Sequence, residues 1–168
     1  FGTFYAPNIS TDARHGIANW SDYDLANAVL AGVSPQRAHY YPAFPYASYN
    51  KMQPQDVADL IAHLRTLPAD ATPSREHDVG FPFNLRRGLG VWKFLFVNKN
   101  WQVAEGIDVS HERGRYLVEA MGHCAECHTP RTILGGLDRS NWMRGAPNPS
   151  GDGRIPSIHP DDLGWSAR

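Results

Sequence analysis

Sulfur is scarce in this chain of 168 residues: two cysteines, Cys124 and Cys127, and three methionines, Met52, Met121 and Met143. Two thiols cannot build a four-sulfur zinc or iron–sulfur site within the chain. Long apolar runs are also missing, and none approaches the roughly 20 residues needed to cross a bilayer. Neither sign of charge dominates. A net charge of −1 and a pI near 6.8 give no footing for nucleic acid or a strongly anionic membrane surface. The opening Phe1-Gly2-Thr3-Phe4-Tyr5 has neither the basic nor the apolar region of a signal peptide. There is no catalytic dyad or triad, no glycine-rich nucleotide loop and no strand-type alternation. What the chain has in quantity is loop formers and rings: 13 Pro, 15 Gly, five Trp, seven Tyr and seven Phe. That composition suits a fold built around a large planar group.

The two cysteines stand in Cys124-Ala125-Glu126-Cys127-His128. C-x-x-C-H is the attachment signature of a c-type haem. Two thiols three residues apart reach the two vinyl-bearing edges of one macrocycle from a single turn of backbone, and the next side chain projects toward the iron. A thioredoxin-like motif would need a βαβ setting that the flanks lack. A disulfide would close a very short loop and leave His128 unexplained. Zinc held by Cys124, Cys127, His128 and a distant histidine would place adjacent ligands in awkward geometry. Covalent haem implies assembly outside the cytoplasm, so a targeting signal is expected and the sequence reads as a processed or partial chain.

Helical period dominates. Ser21 with Asp24 three residues on forms a capping pattern before Leu25, Ala28 and Val29, and Gly32 closes that helix. Pro54 opens a second helix with the stripe Val57, Leu60, Ile61 and Leu64, stopped at Pro68. A third is expected over 86–97, and a fourth from about Glu112 to Met121 that delivers the motif at its end. Residues 69–84 read as a linker between 1–68 and 85–168, and the tail from Thr129 reads as loops. The class is mostly α.

A repeat organises the two halves. Ala6-Pro7-Asn8-Ile9-Ser10-Thr11-Asp12, followed by Trp20-Ser21, matches Ile155-Pro156-Ser157-Ile158-His159-Pro160-Asp161, followed by Trp165-Ser166. The simplest account is two homologous haem domains, the first without its motif-bearing start and the second without its ending. A second C-x-x-C-H before Phe1, with its own haem c, and a methionine-plus-helix element after Arg168 are expected. Chance similarity of two Pro/Asp-rich loops is the alternative.

Phe81-Pro82-Phe83-Asn84-Leu85-Arg86-Arg87, Arg113-Gly114-Arg115-Tyr116-Leu117-Val118-Glu119 and the Gly122–Arg131 stretch around the motif, with Gly135-Gly136, resemble the multihaem cytochrome c subunits of bacterial membrane-associated alcohol and aldehyde dehydrogenases. Tyr41-Pro42-Ala43-Phe44-Pro45-Tyr46 and Lys51-Met52 resemble the same family's preceding domain. The resemblance implies tandem class I cytochrome c-like domains, both incomplete here. It also implies a periplasmic electron-transfer subunit that passes electrons from a dehydrogenase partner toward a quinone or another respiratory acceptor. Membrane association would come through parts or subunits outside this sequence.

The resemblance places the first domain's distal ligand at Met52, because Phe44 stands where related sequences often carry methionine and cannot ligate iron. Helix-flanking packing is the other reading of Met52. Arg131 is expected beside a haem propionate, with a solvent arginine as the alternative. Trp20 and Trp165 could each donate an indole N–H to a propionate or simply fill a core. Met121, three residues before Cys124 on the proximal side, is not expected to reach across the ring, and Met143 is expected to pack, leaving the second haem's distal methionine outside the sequence unless Met143 or a histidine substitutes. Two functions compete with electron transfer: a dihaem enzyme such as a thiosulfate dehydrogenase or peroxidase, and a zinc-binding structural module.

Overall fold

The computed structural model describes residues 2–103 and 108–164, and the chain divides into two units, 1–97 and 98–168. The first unit begins with strand β1 (Gly2–Thr3), followed by helices α1 (Asp22–Ala31), α2 (Tyr46–Tyr49) and α3 (Pro54–Leu64), strand β2 (Asp78–Val79) and helix α4 (Gly88–Phe96). The capping box forms as the sequence requires: the Ser21 hydroxyl accepts from the Asp24 N–H, and the Asp24 carboxylate accepts from the Ser21 N–H. α1 ends at Gly32 with φ of 61°, where a Cβ would lie 2.3 Å from the Tyr46 ring, so both the left-handed turn and the close approach demand glycine.

Ile17, Leu25, Val57 and Ile61 form the buried core between α1 and α3, with Trp20, Leu30, Met52 and Leu64 packed against it. Arg65 ties the end of α3 to the loop before α1. Its guanidinium donates to the carbonyls of Ile17, Ala18 and Trp20 at 3.4, 3.3 and 2.6 Å and pairs with Asp22 at 2.8 Å. α3 stops at Leu64, three residues short of the expected end.

Residues 69–84 differ from the expected linker. The Asn8 amide donates to the carbonyls of Asp70 and Thr72, both at 2.7 Å, and the Tyr5 N–H donates to His77 Nδ1 at 3.1 Å. β1 and β2 pair antiparallel, Gly2 opposite Val79 and Thr3 opposite Asp78. α4 also belongs to the first unit. Its Lys93 ammonium donates to the carbonyls of Ala31 and Gly32 at 2.7 and 2.6 Å, lies 3.1 Å from His39 Nδ1 and sits over the Tyr46 ring. The division therefore falls after Val97, so that the second unit starts thirteen residues beyond the expected start of a second domain at 85. Polar cross-links of this kind leave no periodic trace in sequence.

The second unit contains α5 (Val109–Tyr116), a π-helical turn (Leu117–Met121), α6 (Ala125–His128), a 3₁₀ turn (Arg139–Asn141), strands β3 (Ala146–Pro147) and β4 (Arg154–Ile155), and α7 (Pro160–Leu163). α5 starts at Val109, before the expected Glu112, because the Asp108 carboxylate accepts from the N–H groups of Ser110 and His111. The buried Glu119 carboxylate accepts from the N–H groups of Gln102 and Val103 at 2.7 and 3.1 Å. The tail is more ordered than expected: β3 and β4 form an antiparallel ladder with Ala146 opposite Ile155. Both ladders are only two residues long per strand, too short to show the alternation that the sequence lacks.

The sequence repeat has a matching local geometry in each unit. The residue after the proline closes the same turn in both copies: Asn8 Oδ1 accepts from the Ser10 N–H at 2.9 Å, and Ser157 Oγ accepts from the His159 N–H at 3.1 Å. Two residues later, Ser10 Oγ accepts from the Asp12 N–H and His159 Nδ1 from the Asp161 N–H, both at 3.3 Å.

Candidate haem-attachment site

The π-helical turn sets the position of the motif. Its wider hydrogen bonding carries through Gly122 N–H to Leu117 O at 2.7 Å and Cys124 N–H to Val118 O at 3.2 Å, and His123 takes φ of 42° as the chain turns into α6. The next turn closes with His128 N–H to Cys124 O at 3.0 Å. Cys124, Cys127 and His128 thus stand at i, i+3 and i+4 on one face of a single helical turn. Both cysteines are free thiols, Cys124 half-buried and Cys127 exposed.

His128 is oriented from behind. Its Nδ1 lies 2.9 Å from the carbonyl oxygen of Pro156. A carbonyl can only accept, so Nδ1 carries the proton and Nε2 keeps its lone pair for a metal. Pro156 is held in turn by its neighbours. The Gly145 N–H donates to His128 O at 2.7 Å, and both the Ile158 N–H and the Ser157 hydroxyl donate to Met143 O. Thr129, fully buried, accepts the Met143 N–H at 3.0 Å. Gly145 has φ of 80°, and a Cβ there would lie 2.7 Å from Ile155 O. Arg144 clamps the segment further out through Asp161 and Asp162 at 2.9 and 2.8 Å.

These residues fit a haem on grounds of donor chemistry. Two free thiols and an imidazole of fixed tautomer share one face, while Val118 and Met121 before the motif and Ile133 beyond it are solvent-exposed apolar side chains of the kind a large planar group covers. Among the described residues no group of three or more His, Cys, Asp or Glu side chains is placed to hold a metal ion, so the zinc arrangement with a distant histidine has no geometric support.

Other expected site residues are placed as follows. The Arg131 guanidinium is engaged by the Glu126 carboxylate and by the Glu126 and Gly135 carbonyls at 3.3 and 3.1 Å, which locks the Cys124–Cys127 loop to the segment after His128. Met52 and Trp20 both lie against the core of the first unit. Trp165 lies outside the described residues. Met143 is buried and carries backbone hydrogen bonds to the segment that presents Pro156. Sequence reasoning missed the roles of Pro156 and Thr129. The repeat had singled out Pro156, but nothing local could show that its carbonyl meets His128, 28 residues away.

No family model matches the chain. Individual relatives do. The chain is 54% identical over 167 residues, 99% of its length, to a diheme cytochrome c-type protein of Cereibacter sphaeroides, of which it covers 56%. The chain is a homologue of c-type cytochromes. It is also 37% identical over 161 residues to the fructose dehydrogenase cytochrome subunit of Gluconobacter japonicus, covering 94% of this chain and 32% of that protein. With the gluconate 2-dehydrogenase cytochrome c subunit of Pantoea cypripedii it shares 38% identity over 135 residues, 79% of this chain and 31% of that one. The chain thus spans about half the length of the first of these relatives and about a third of the other two.

Proposed function

We propose that this chain is part of a periplasmic cytochrome c subunit that carries one electron at a time from a partner dehydrogenase toward a respiratory acceptor, with haem c attached through Cys124 and Cys127 and His128 on the iron. The observation that carries the reading is the His128 Nδ1–H to Pro156 carbonyl hydrogen bond beside two free thiols at i, i+3 and i+4. When bound, the haem supplies the one-electron chemistry. The protein's part is orientation and tuning. Pro156 fixes the imidazole tautomer and increases its basicity, the Glu126–Arg131 pair sets the charge beside the attachment loop, and the exposed apolar flanks provide the surface a porphyrin would shield from water.

Tandem organisation, with a second haem c in the first unit, is part of the proposal. The matching turns at Asn8 and Ser157 support it, because the Pro7 carbonyl then corresponds to that of Pro156. On this reading Met52 is the candidate distal ligand of the first haem. Its packing against Ile17, Leu25, Val57 and Ile61 equally suits a core role, which the spectrum of Met52→Ala would decide by loss or retention of the low-spin state at that haem. Arg131, Trp20 and Trp165 remain candidates for propionate contact, Arg131 through whichever guanidinium edge Glu126 leaves open.

The test is to mature the intact protein in a periplasm with cytochrome c assembly factors and mix it with its dehydrogenase and that enzyme's substrate. Stoichiometric appearance of the reduced c-haem α-band is expected. A matured protein that binds haem but is never reduced by the enzyme would overturn the electron-transfer assignment.

A further inference from the structure

Net charge of −1 conceals a segregation of charge along the chain. Between Asp78 and Glu105 there are four cations, Arg86, Arg87, Lys93 and Lys99, and no acid. The remainder then carries twelve cations against seventeen acids, a net −5. α4 lies in this basic stretch. Its Lys93 side is turned onto the first unit, where the ammonium is held by Ala31 O and Gly32 O. Val91 and Leu95 fall on the opposite side of the helix and Phe94 on its flank, 64, 59 and 87% exposed. The turn that leads into α4 exposes Phe81, Phe83 and Leu85 as well. Arg86 and Arg87 stand exposed at the start of the helix, with the Arg86 guanidinium 5.3 Å over the Tyr41 ring.

We propose that α4 and the turn before it form an interfacial anchor that lies on an anionic phospholipid bilayer. An exposed aromatic and aliphatic ridge with arginines at its start and no acid along its own segment is what binds the boundary between headgroups and acyl chains, the rings entering the apolar layer and the guanidinium groups meeting lipid phosphates. The charge pattern selects this occupant. The absence of any acid for the length of the segment is complementary to an anionic surface, and so is the placement of cations beside the ridge. Lys93 fixes the helix to its unit, so the ridge is presented by a folded body and does not have to form on the membrane. Nothing long and apolar enough to span a bilayer is involved: among the described residues no helix meets that requirement.

The experiment is flotation of the intact, haem-loaded protein with vesicles of phosphatidylglycerol and phosphatidylethanolamine, against vesicles of phosphatidylcholine alone. The variants are Phe94→Glu with Leu95→Glu, and separately Arg86→Gln with Arg87→Gln. All four positions are exposed, and an unchanged Soret band and circular dichroism spectrum verify folding. The account expects binding to the anionic vesicles, weakened about tenfold or more by the first pair, weakened by the second pair and by added salt, and weak binding to phosphatidylcholine. Absence of binding to anionic vesicles, or binding insensitive to Phe94 and Leu95, would overturn it. So would self-association, or capture of the dehydrogenase, abolished by the first pair of substitutions in a protein that ignores vesicles.

Discussion

Substituting Gly145 by alanine tests the link between the hairpin and His128, the proposed iron ligand. The residue has φ of 80°, and the new Cβ would sit 2.7 Å from Ile155 O, 2.9 Å from Ser157 N and 3.0 Å from Pro156 C, all backbone atoms. The left-handed conformation alone costs a non-glycine residue about 1–2 kcal/mol. Relief of the clash requires the Ile155–Ser157 segment to move away from Gly145 by several tenths of an ångström. The hydrogen bond it puts at risk, His128 Nδ1–H to Pro156 O at 2.9 Å, is worth about 0.5–1.5 kcal/mol. If all of that energy favoured the ferric state, whose iron draws most from a basic imidazole, its loss would raise the potential by roughly 20–65 mV, since 59 mV corresponds to 1.4 kcal/mol for one electron. The assay is a spectroelectrochemical titration of the haem at His128, alongside urea unfolding. Gly151→Ala serves as the control, because a Cβ there meets only Asn148 Nδ2 at 3.9 Å. Gly145→Ala with the potential and stability of the control would refute the claim that the hairpin positions Pro156 against His128.

Three further outcomes follow from the geometry. Arg65→Ala should destabilise the first unit by about 1.5–3 kcal/mol in denaturant titration, because a charged donor to the Ile17, Ala18 and Trp20 carbonyls is removed; loss of the Asp22 pair adds little. Arg131→Ala should lower the reduction potential by an amount on the order of tens of millivolts, since the Glu126 carboxylate inside the attachment loop loses its counter-ion. Burial lowers the Lys93 ammonium to about 8, and burial, then the Lys93 charge, lowers His39. The unfolded chain therefore holds more protons than the folded one from pH 8 to 10.5 at Lys93 and below 6.5 at His39. Each group makes stability fall as pH falls through its window. Relative to the parent, Lys93→Met should flatten the change between pH 8 and 9.5, and His39→Gln the acid-side change, in pH-dependent urea midpoints.

The parts of the molecule legible in sequence are those encoded within one turn or one helix. Ser21 and Asp24 announced α1, the Val57 to Leu64 stripe announced α3, and Cys124-x-x-Cys127-His128 announced its own geometry because the three residues share a face of one turn. The parts that were not legible depend on distant backbone. The Pro156 carbonyl reaches His128 only because Gly145 and the β3–β4 ladder fold the chain back. The 69–84 stretch looked like a linker because its cohesion comes from single polar contacts, Asn8 to Asp70 and Thr72, with no period to reveal them. α4 was expected from its apolar residues, but the outward direction of Phe94 and Leu95 follows from Lys93 facing the end of α1, which requires the tertiary fold.

Intact mass spectrometry of the matured protein, with thiol labelling under denaturing conditions, tests the central claim most directly. The account predicts one haem added covalently at the Cys124–Cys127 peptide, no thiol open to label, and loss of the adduct in the double variant Cys124→Ala with Cys127→Ala. Two labelled thiols on a peptide without haem, in protein matured where other c-type cytochromes acquire theirs, would contradict it.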